Sequence, residues 1–249
     1  MTYPSAPPGS YQIDVVDQVG RAYRIVVDRA QLVGEMALLP FLIVLATELL
    51  AVLIPGVGVF GRVLAMLIHA IGFLIFGSVF VVRWHRFVLL GESVGSGLIP
   101  PGWTDFLVAG VKLGALVFAG WVVLAIVAML PPHFLTFPLA AIGGVALGLF
   151  ALRLSLIFPA AAIERPMALR TAWDWLEGNF WRLFACALGC YLPFVVVQIG
   201  IAVIAGIFPS LIWIVFDAAH LVVSFIGAAV GAALLSHVYR DLVGVTPRD

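Results

Sequence analysis

MALLPFLIVLATELLAVLIPGVGVFGRVLAMLIHAIGFLIFGSVFVV, residues 36–82, holds one carboxylate, Glu48, and one guanidinium, Arg62, in 47 residues. Two apolar runs flank the turn formers Pro55-Gly56-Val57-Gly58. Each run supplies the roughly 20 residues that a helix needs to cross the hydrocarbon core of a bilayer. A soluble helical hairpin of this composition would have no polar face to turn toward water. Residues 36–54 and 60–82 therefore read as an antiparallel pair of membrane-spanning helices.

The same pattern recurs along the chain. Runs at 105–130, 135–154, 182–208 and 211–236 are bounded by Pro131-Pro132 and Pro209-Ser210. This makes six spans and an all-α, polytopic helical bundle. The whole chain is 63% hydrophobic and 10% charged, whereas soluble domains carry about 25% charged residues. Thirteen basic residues balance thirteen acidic ones, which excludes the basic footprint of a nucleic-acid binder. Cys186 and Cys190 share a helix face at a spacing of four. They read as small buried hydrophobes rather than as a metal or redox pair. Arg outnumbers Lys 12 to 1, a composition that points to a GC-rich bacterium.

Residues 1–10, rich in Pro, Ser and Gly, read as a disordered tail. Over 11–35, Val16, Val19, Tyr23, Val26, Ala30 and Val33 recur at three or four residues, with charges between them. That spacing predicts an amphipathic helix lying in the membrane interface. No cleavable signal precedes the first span, which is expected to act as the insertion signal. The remainder, 36–249, is the membrane domain. With the N-terminus inside, the internal segments hold twelve of the thirteen Lys and Arg residues and the external turns hold only Arg62. The positive-inside rule then predicts a multi-pass protein of the bacterial inner membrane with both termini cytoplasmic. Residues 83–104 read as a loop. Residues 166–178 read as a second interfacial helix starting at Pro166, with Leu169, Ala172, Trp173 and Leu176 on one side. Phe80-Val-Val-Arg83, Phe150-Ala-Leu-Arg153 and His237-Val-Tyr239-Arg240 close the even-numbered spans alike, as three hairpin repeats would.

The run RLSLIFPAAAIERPMALRTAWDWLEGNFWRLF, residues 153–184, resembles the membrane domain of some bacterial glycerophosphodiester phosphodiesterases and related uncharacterised six-helix inner-membrane proteins. The shared features are an Arg-bearing helix end, a Pro, an amphipathic helix and a turn like Gly178-Asn179-Phe180-Trp181. The N-terminal amphipathic helix followed by paired spans is similar too. The activity of that family resides in a soluble barrel domain with no counterpart in these 249 residues. The resemblance implies a membrane-resident accessory module and carries no catalytic role.

Charged groups inside spans are costly, about 2.5–3.5 kcal/mol each on insertion scales, so five residues form the candidate site: Glu48, Arg62, His69, Asp217 and His220. A rise of about 1.5 Å per residue puts Glu48, Arg62 and His69 about 13, 8 and 18 Å below the first external turn. Asp217 and His220 lie about 10 and 15 Å below the last one. All five share one half of the membrane. If spans one, two and six meet, two carboxylates and two imidazoles face each other. They would serve a proton relay or a divalent ion, or else pair structurally, Glu48 with Arg62 in its own hairpin.

Gly110-xxx-Gly114, Gly144-xxx-Gly148 and Gly227-xxx-Gly231 suit close helix packing, and Pro193 is placed to free a carbonyl in span five. Arg83, Arg86, Arg153, Arg165, Arg170 and Arg182, with His85, are the candidate headgroup contacts. No nucleophile–base pairing, phosphate loop or zinc signature occurs, and Gly91-Glu92-Ser93 lacks the strand of a nucleophile elbow. No cofactor or metal is expected. The expected partners are membrane lipids and proteins of a membrane complex, for a non-enzymatic scaffold or accessory subunit. A transporter using the acidic–histidine cluster is the alternative.

Overall fold

The computed structural model describes residues 12–53, 58–93, 97–129, 133–207 and 213–244. The tail at 1–10 and the turns at 55–57, 131–132 and 209–210 fall outside them. The helices are α1 (Val15–Asp28), α2 (Ala30–Leu53), α3 (Gly58–Gly72), α4 (Ser78–Leu90) and α5 (Trp103–Ala128). They continue with α6 (His133–Leu154), α7 (Ile157–Ala162), α8 (Leu169–Trp175), α9 (Phe180–Ile207) and α10 (Trp213–Val243). A π-helical turn, Phe73–Gly77, joins α3 to α4. Among the described residues, six helical stretches are long and apolar enough to cross a membrane: Ala30–Leu50, Met66–Leu90, Trp103–Val127, Thr136–Leu154, Phe180–Ile207 and Val215–Val243. The chain is an all-helical, multi-pass membrane protein.

Sequential hairpins form from α2 with α3, α5 with α6 and α9 with α10. The last helix, α10, is the centre, packing on α1, α2, α4, α7 and α9. Its small residues allow this. A Cβ at Gly227 would sit 3.4 Å from the Phe194 ring, and one at Gly231 would overlap the Tyr191 hydroxyl. That glycine pair therefore serves the α9–α10 contact. Gly144 likewise faces Trp121 across the α5–α6 hairpin, while Gly114 and Gly148 have open space beside them. The buried core lies toward the arginine-rich end, where Trp84, Leu89, Leu156, Ile157, Leu183, Leu234 and Tyr239 are inaccessible or nearly so. The opposite ends carry exposed apolar side chains such as Met66, Phe118 and Phe137, as lipid rather than water permits.

The chain between the spans departs from the sequence expectation in two places. Residues 83–90 continue the helix, and the expected loop begins only at Gly91. That residue adopts φ +73° and donates its N–H to the Phe87 carbonyl at 2.9 Å, a left-handed helix stop. The expected helix at 166–178 is a short one, α8, whose cap is the extended residue Ala168; Pro166 lies outside it. Ahead of it α7, unforeseen in sequence, is buried against α4, α5 and α10. The hairpins thus recur while their connections differ.

The amphipathic helix expected over 11–35 is present as α1, and it docks on protein. Gln18, Ala22 and Val26 form its buried stripe against α9 and α10, and Val16 points outward. Asp14 caps its start by accepting from the Asp17 N–H at 3.1 Å. Asp241 of α10 accepts from Gln18 Nε2 (2.6 Å) and Arg21 Nη2 (2.8 Å). Burial opposes the charge on Arg21, but the carboxylates of Asp241 and Asp17 outweigh it and hold its pKa above the ordinary value. The Tyr23 hydroxyl lies 2.9 Å from the Cys190 carbonyl and 3.3 Å from that of Gly189. Pro193 has no N–H for Gly189 to receive, so α1 supplies what the proline withholds. Burial, with a smaller push from Cys190, raises the Tyr23 pKa and keeps the phenol a donor. Both cysteines are free and buried, and the Cys186 thiol lies 4.0 Å from the Val15 carbonyl. They form the seat of α1.

Candidate functional site

Glu48 on α2 and His69 on α3 face each other, Oε1 to Nδ1, at 3.6 Å. That approach depends on close packing one turn away: a Cβ at Gly72 would meet Thr47 Oγ1 at 2.8 Å, while Thr47 Oγ1 itself bonds back to the Val44 carbonyl at 2.7 Å. The π turn at Phe73–Gly77 follows immediately. Such insertions re-aim side chains within a helix and recur at functional sites. Glu48 Oε2 and His69 Nδ1 are buried without a hydrogen-bond partner among the described residues.

Asp217 and His220, on α10, are exposed on the outer surface of the bundle. Both nevertheless lie within electrostatic reach of Glu48, along with His69. Of the five expected residues, Glu48 and His69 are in contact, while among the described residues no hydrogen bond or ion pair joins Asp217 or His220 to that pair. The side chain of the fifth, Arg62, lies outside the described residues. Glu48 and His69 are neighbours at ion-pair rather than hydrogen-bond distance, with Asp217 and His220 on the exposed face of α10. Among the described residues, no group of three or more His, Cys, Asp or Glu side chains is arranged to hold a metal ion.

The arginines at the other end divide into two sets. Arg86 is mostly buried and grips Glu92 with two bonds (2.7 and 2.8 Å). It also reaches Glu164 Oε1 (3.1 Å) and the Ala162 carbonyl (3.0 Å). Arg83 bonds the Gly97 and Leu98 carbonyls, and Arg182 bonds the Ile13 carbonyl and Gln12 Oε1. Arg240 bonds the Val88 carbonyl at the end of α4. These groups stitch loops and helix ends together, so Arg83, Arg86 and Arg182 already have partners within the chain. The expectation for His85 is corrected: it is buried, its Nδ1 2.7 Å from Ser236 Oγ.

Arg165 and Arg170 are exposed. Arg153 stands apart from both kinds. Its guanidinium lies 3.8 Å from the centre of the Trp173 ring and 5.7 Å from that of Phe180. No carboxylate pairs with it among the described residues, and its Nε is buried without a hydrogen-bond partner.

A cleft of about 630 Å³ opens between the α5–α6 hairpin and the wall made by α4, α9 and α10. Leu107, Leu113, Leu152, Phe158, Ala187 and Leu235 line it. It exists because the α5–α6 hairpin is held to the rest chiefly through α4, α7, α8 and a short meeting of α6 with α9. Sequence reasoning did not foresee it, since each wall is an ordinary apolar helix face and the gap depends on how they splay. No family model, curated protein or solved structure matches this chain.

Proposed function

We propose that this chain is a non-enzymatic accessory or scaffold protein that organises lipids or a larger complex in a bacterial inner membrane, with both termini cytoplasmic. One observation carries the reading. The membrane-crossing stretches of α5, α6 and α9 are each only 6% buried inside the molecule, so three apolar helices face outward along most of their length. Such surface is free to receive lipid chains or partner helices, since helices in a bilayer associate by packing and polar contacts rather than by escape from water. The orientation follows from Lys and Arg in the connections. The likeness of 153–184 to the phosphodiesterase membrane domain supports an accessory role. Purification in mild detergent tests it: the chain is expected to carry a partner protein at fixed stoichiometry or tightly held lipid. A solitary, lipid-free monomer would overturn the reading.

The cluster around Glu48 supports a second reading, transport of a proton, ion or small solute. A carboxylate 3.6 Å from an imidazole within a span, beside a π turn and with the further ionisable side chains Asp217 and His220 on α10, is the type of constellation that moves protons. In proteoliposomes, this reading expects pH-dependent flux that Glu48→Gln abolishes and Arg165→Gln leaves unchanged. Flux insensitive to Glu48→Gln would reject that site.

A further inference from the structure

The walls of the cleft say what can fill it. Two of their polar groups are already served by the protein, since Ser155 Oγ donates to the Leu152 carbonyl at 2.7 Å and His85 is paired with Ser236, and apart from the Tyr191 hydroxyl the rest of the lining is apolar. Little is left to bind a polar solute, while a volume near 630 Å³ falls in the range of sites for flexible apolar ligands, about 300–1,000 Å³. A second cavity of about 210 Å³ continues it past Leu74, Val81, Phe106 and Ala228.

At the arginine-rich end, the lining residue Leu152 is followed by Arg153. Every carboxylate-paired arginine seen here, Arg21 and Arg86, has its charge met within the chain. Arg153 instead lies over the Trp173 ring, with Phe180 alongside, and among the described residues no acid opposes it. A guanidinium set over a ring keeps its terminal N–H donors for a phosphate. Trp173 and Trp181, both exposed, flank this position as interfacial tryptophans do.

The geometry points to a lipid site: we propose that the cleft holds an acyl chain of one anionic phospholipid whose phosphate rests on Arg153. This rests on the lipid-organising half of the reading above and names its ligand. The lipid comes from the leaflet on the side of α1 and α8. Its headgroup supplies the negative charge that Arg153 lacks, and its chain fills the space between the α5–α6 hairpin and α10.

The test is native mass spectrometry of the full-length chain in mild detergent, titrated with phosphatidylglycerol or phosphatidylcholine. One phosphatidylglycerol is expected to be retained in preference to phosphatidylcholine. Arg153→Gln is expected to weaken retention roughly fivefold, the worth of one arginine at a charged interface. Ala187→Phe, which adds bulk where the wall faces space, is expected to remove it by closing the cleft. Arg24→Gln, at an exposed position on α1, is the control and should bind as the parent does. Equal losses in Arg153→Gln and Arg24→Gln, or full retention in a folded Ala187→Phe variant, would overturn the proposal. A stoichiometric protein partner with no retained lipid would overturn it and leave the accessory reading standing; a lone, lipid-free chain would overturn both.

Discussion

Trp84→Ala is expected to lower the unfolding free energy in detergent by about 3 kcal/mol, at the bottom of the range for truncating a buried tryptophan. Trp84 has no accessible surface, stacks on Phe87 with ring centres 5.2 Å apart, and donates Nε1–H to the Ala229 carbonyl at 2.8 Å. It joins α4 to α10 at the centre of the core. Three terms compete. The transfer term is small, because the unfolded chain in a micelle still keeps α4 among apolar neighbours. The hydrogen bond is worth about 1 kcal/mol. The rest is lost dispersion contact around a hole that rigid helices cannot fully close. Trp84→Phe keeps most of the ring volume and should cost only about 1 kcal/mol. Trp181→Ala, at a side chain 67% exposed, should melt like the parent. Denaturation midpoints of the three variants in one detergent check this. Similar midpoints for Trp84→Ala and Trp181→Ala would show that the α4–α10 seam is not where stability resides.

The six spans were legible because their signal is additive: twenty apolar residues in a row declare themselves without reference to anything else. What escaped depends on pairs. The stop at Gly91 was written in the chain as a glycine after an apolar run, but the Gly and Pro punctuation beyond it made the whole of 83–104 read as a loop. The polar Arg83, His85 and Arg86 are consumed within the fold by Glu92, Ser236 and backbone carbonyls. Periodicity cannot reveal α7, because a helix buried against three neighbours has no polar face to alternate with its apolar one.

For α1 the amphipathic period was legible but its partner was not. The buried stripe holds Gln18 and Ala22 beside Val26, while Val16 faces outward, because Asp241 stands ready for the glutamine and α10 needs close approach. The candidate cluster shows the same division. Helical rise alone placed Glu48, His69, Asp217 and His220 at similar depth, since depth is a property of one helix. Which of them meet is a property of several. Glu48 lies beside His69, and its distance from Asp217 and His220 is set by how α2 packs on α10.

Gly102→Ala is expected to cost substantially more than Gly178→Ala, although both glycines have φ +77°. The left-handed backbone alone charges any side chain about 1 kcal/mol, and Gly178, with nothing within 4 Å of its would-be Cβ, should show only that. At Gly102 the added carbon would overlap the Ala162 carbonyl oxygen and lie 2.9 Å from that of Ala161. These are backbone atoms of α7, and the Ala162 oxygen is further pinned by Arg86 at 3.0 Å. Neither can yield as a flexible side chain would, so overlap adds about 1–3 kcal/mol. The position matters because it is where α5 begins: Trp103, the next residue, donates Nε1–H to Ser78 Oγ at 2.9 Å, and together they fasten the α5–α6 hairpin to α4 and α7. Thermal midpoints of the two variants in detergent decide the point, and equal losses would mean that the α7 carbonyls do not dictate the glycine. With the greater loss at Gly102, cysteine-labelling of Leu107→Cys, on the cleft wall, should accelerate in Gly102→Ala and stay unchanged in Gly178→Ala. The hairpin is expected to swing more readily once its attachment to α7, the largest it has outside its own pair, is forced apart.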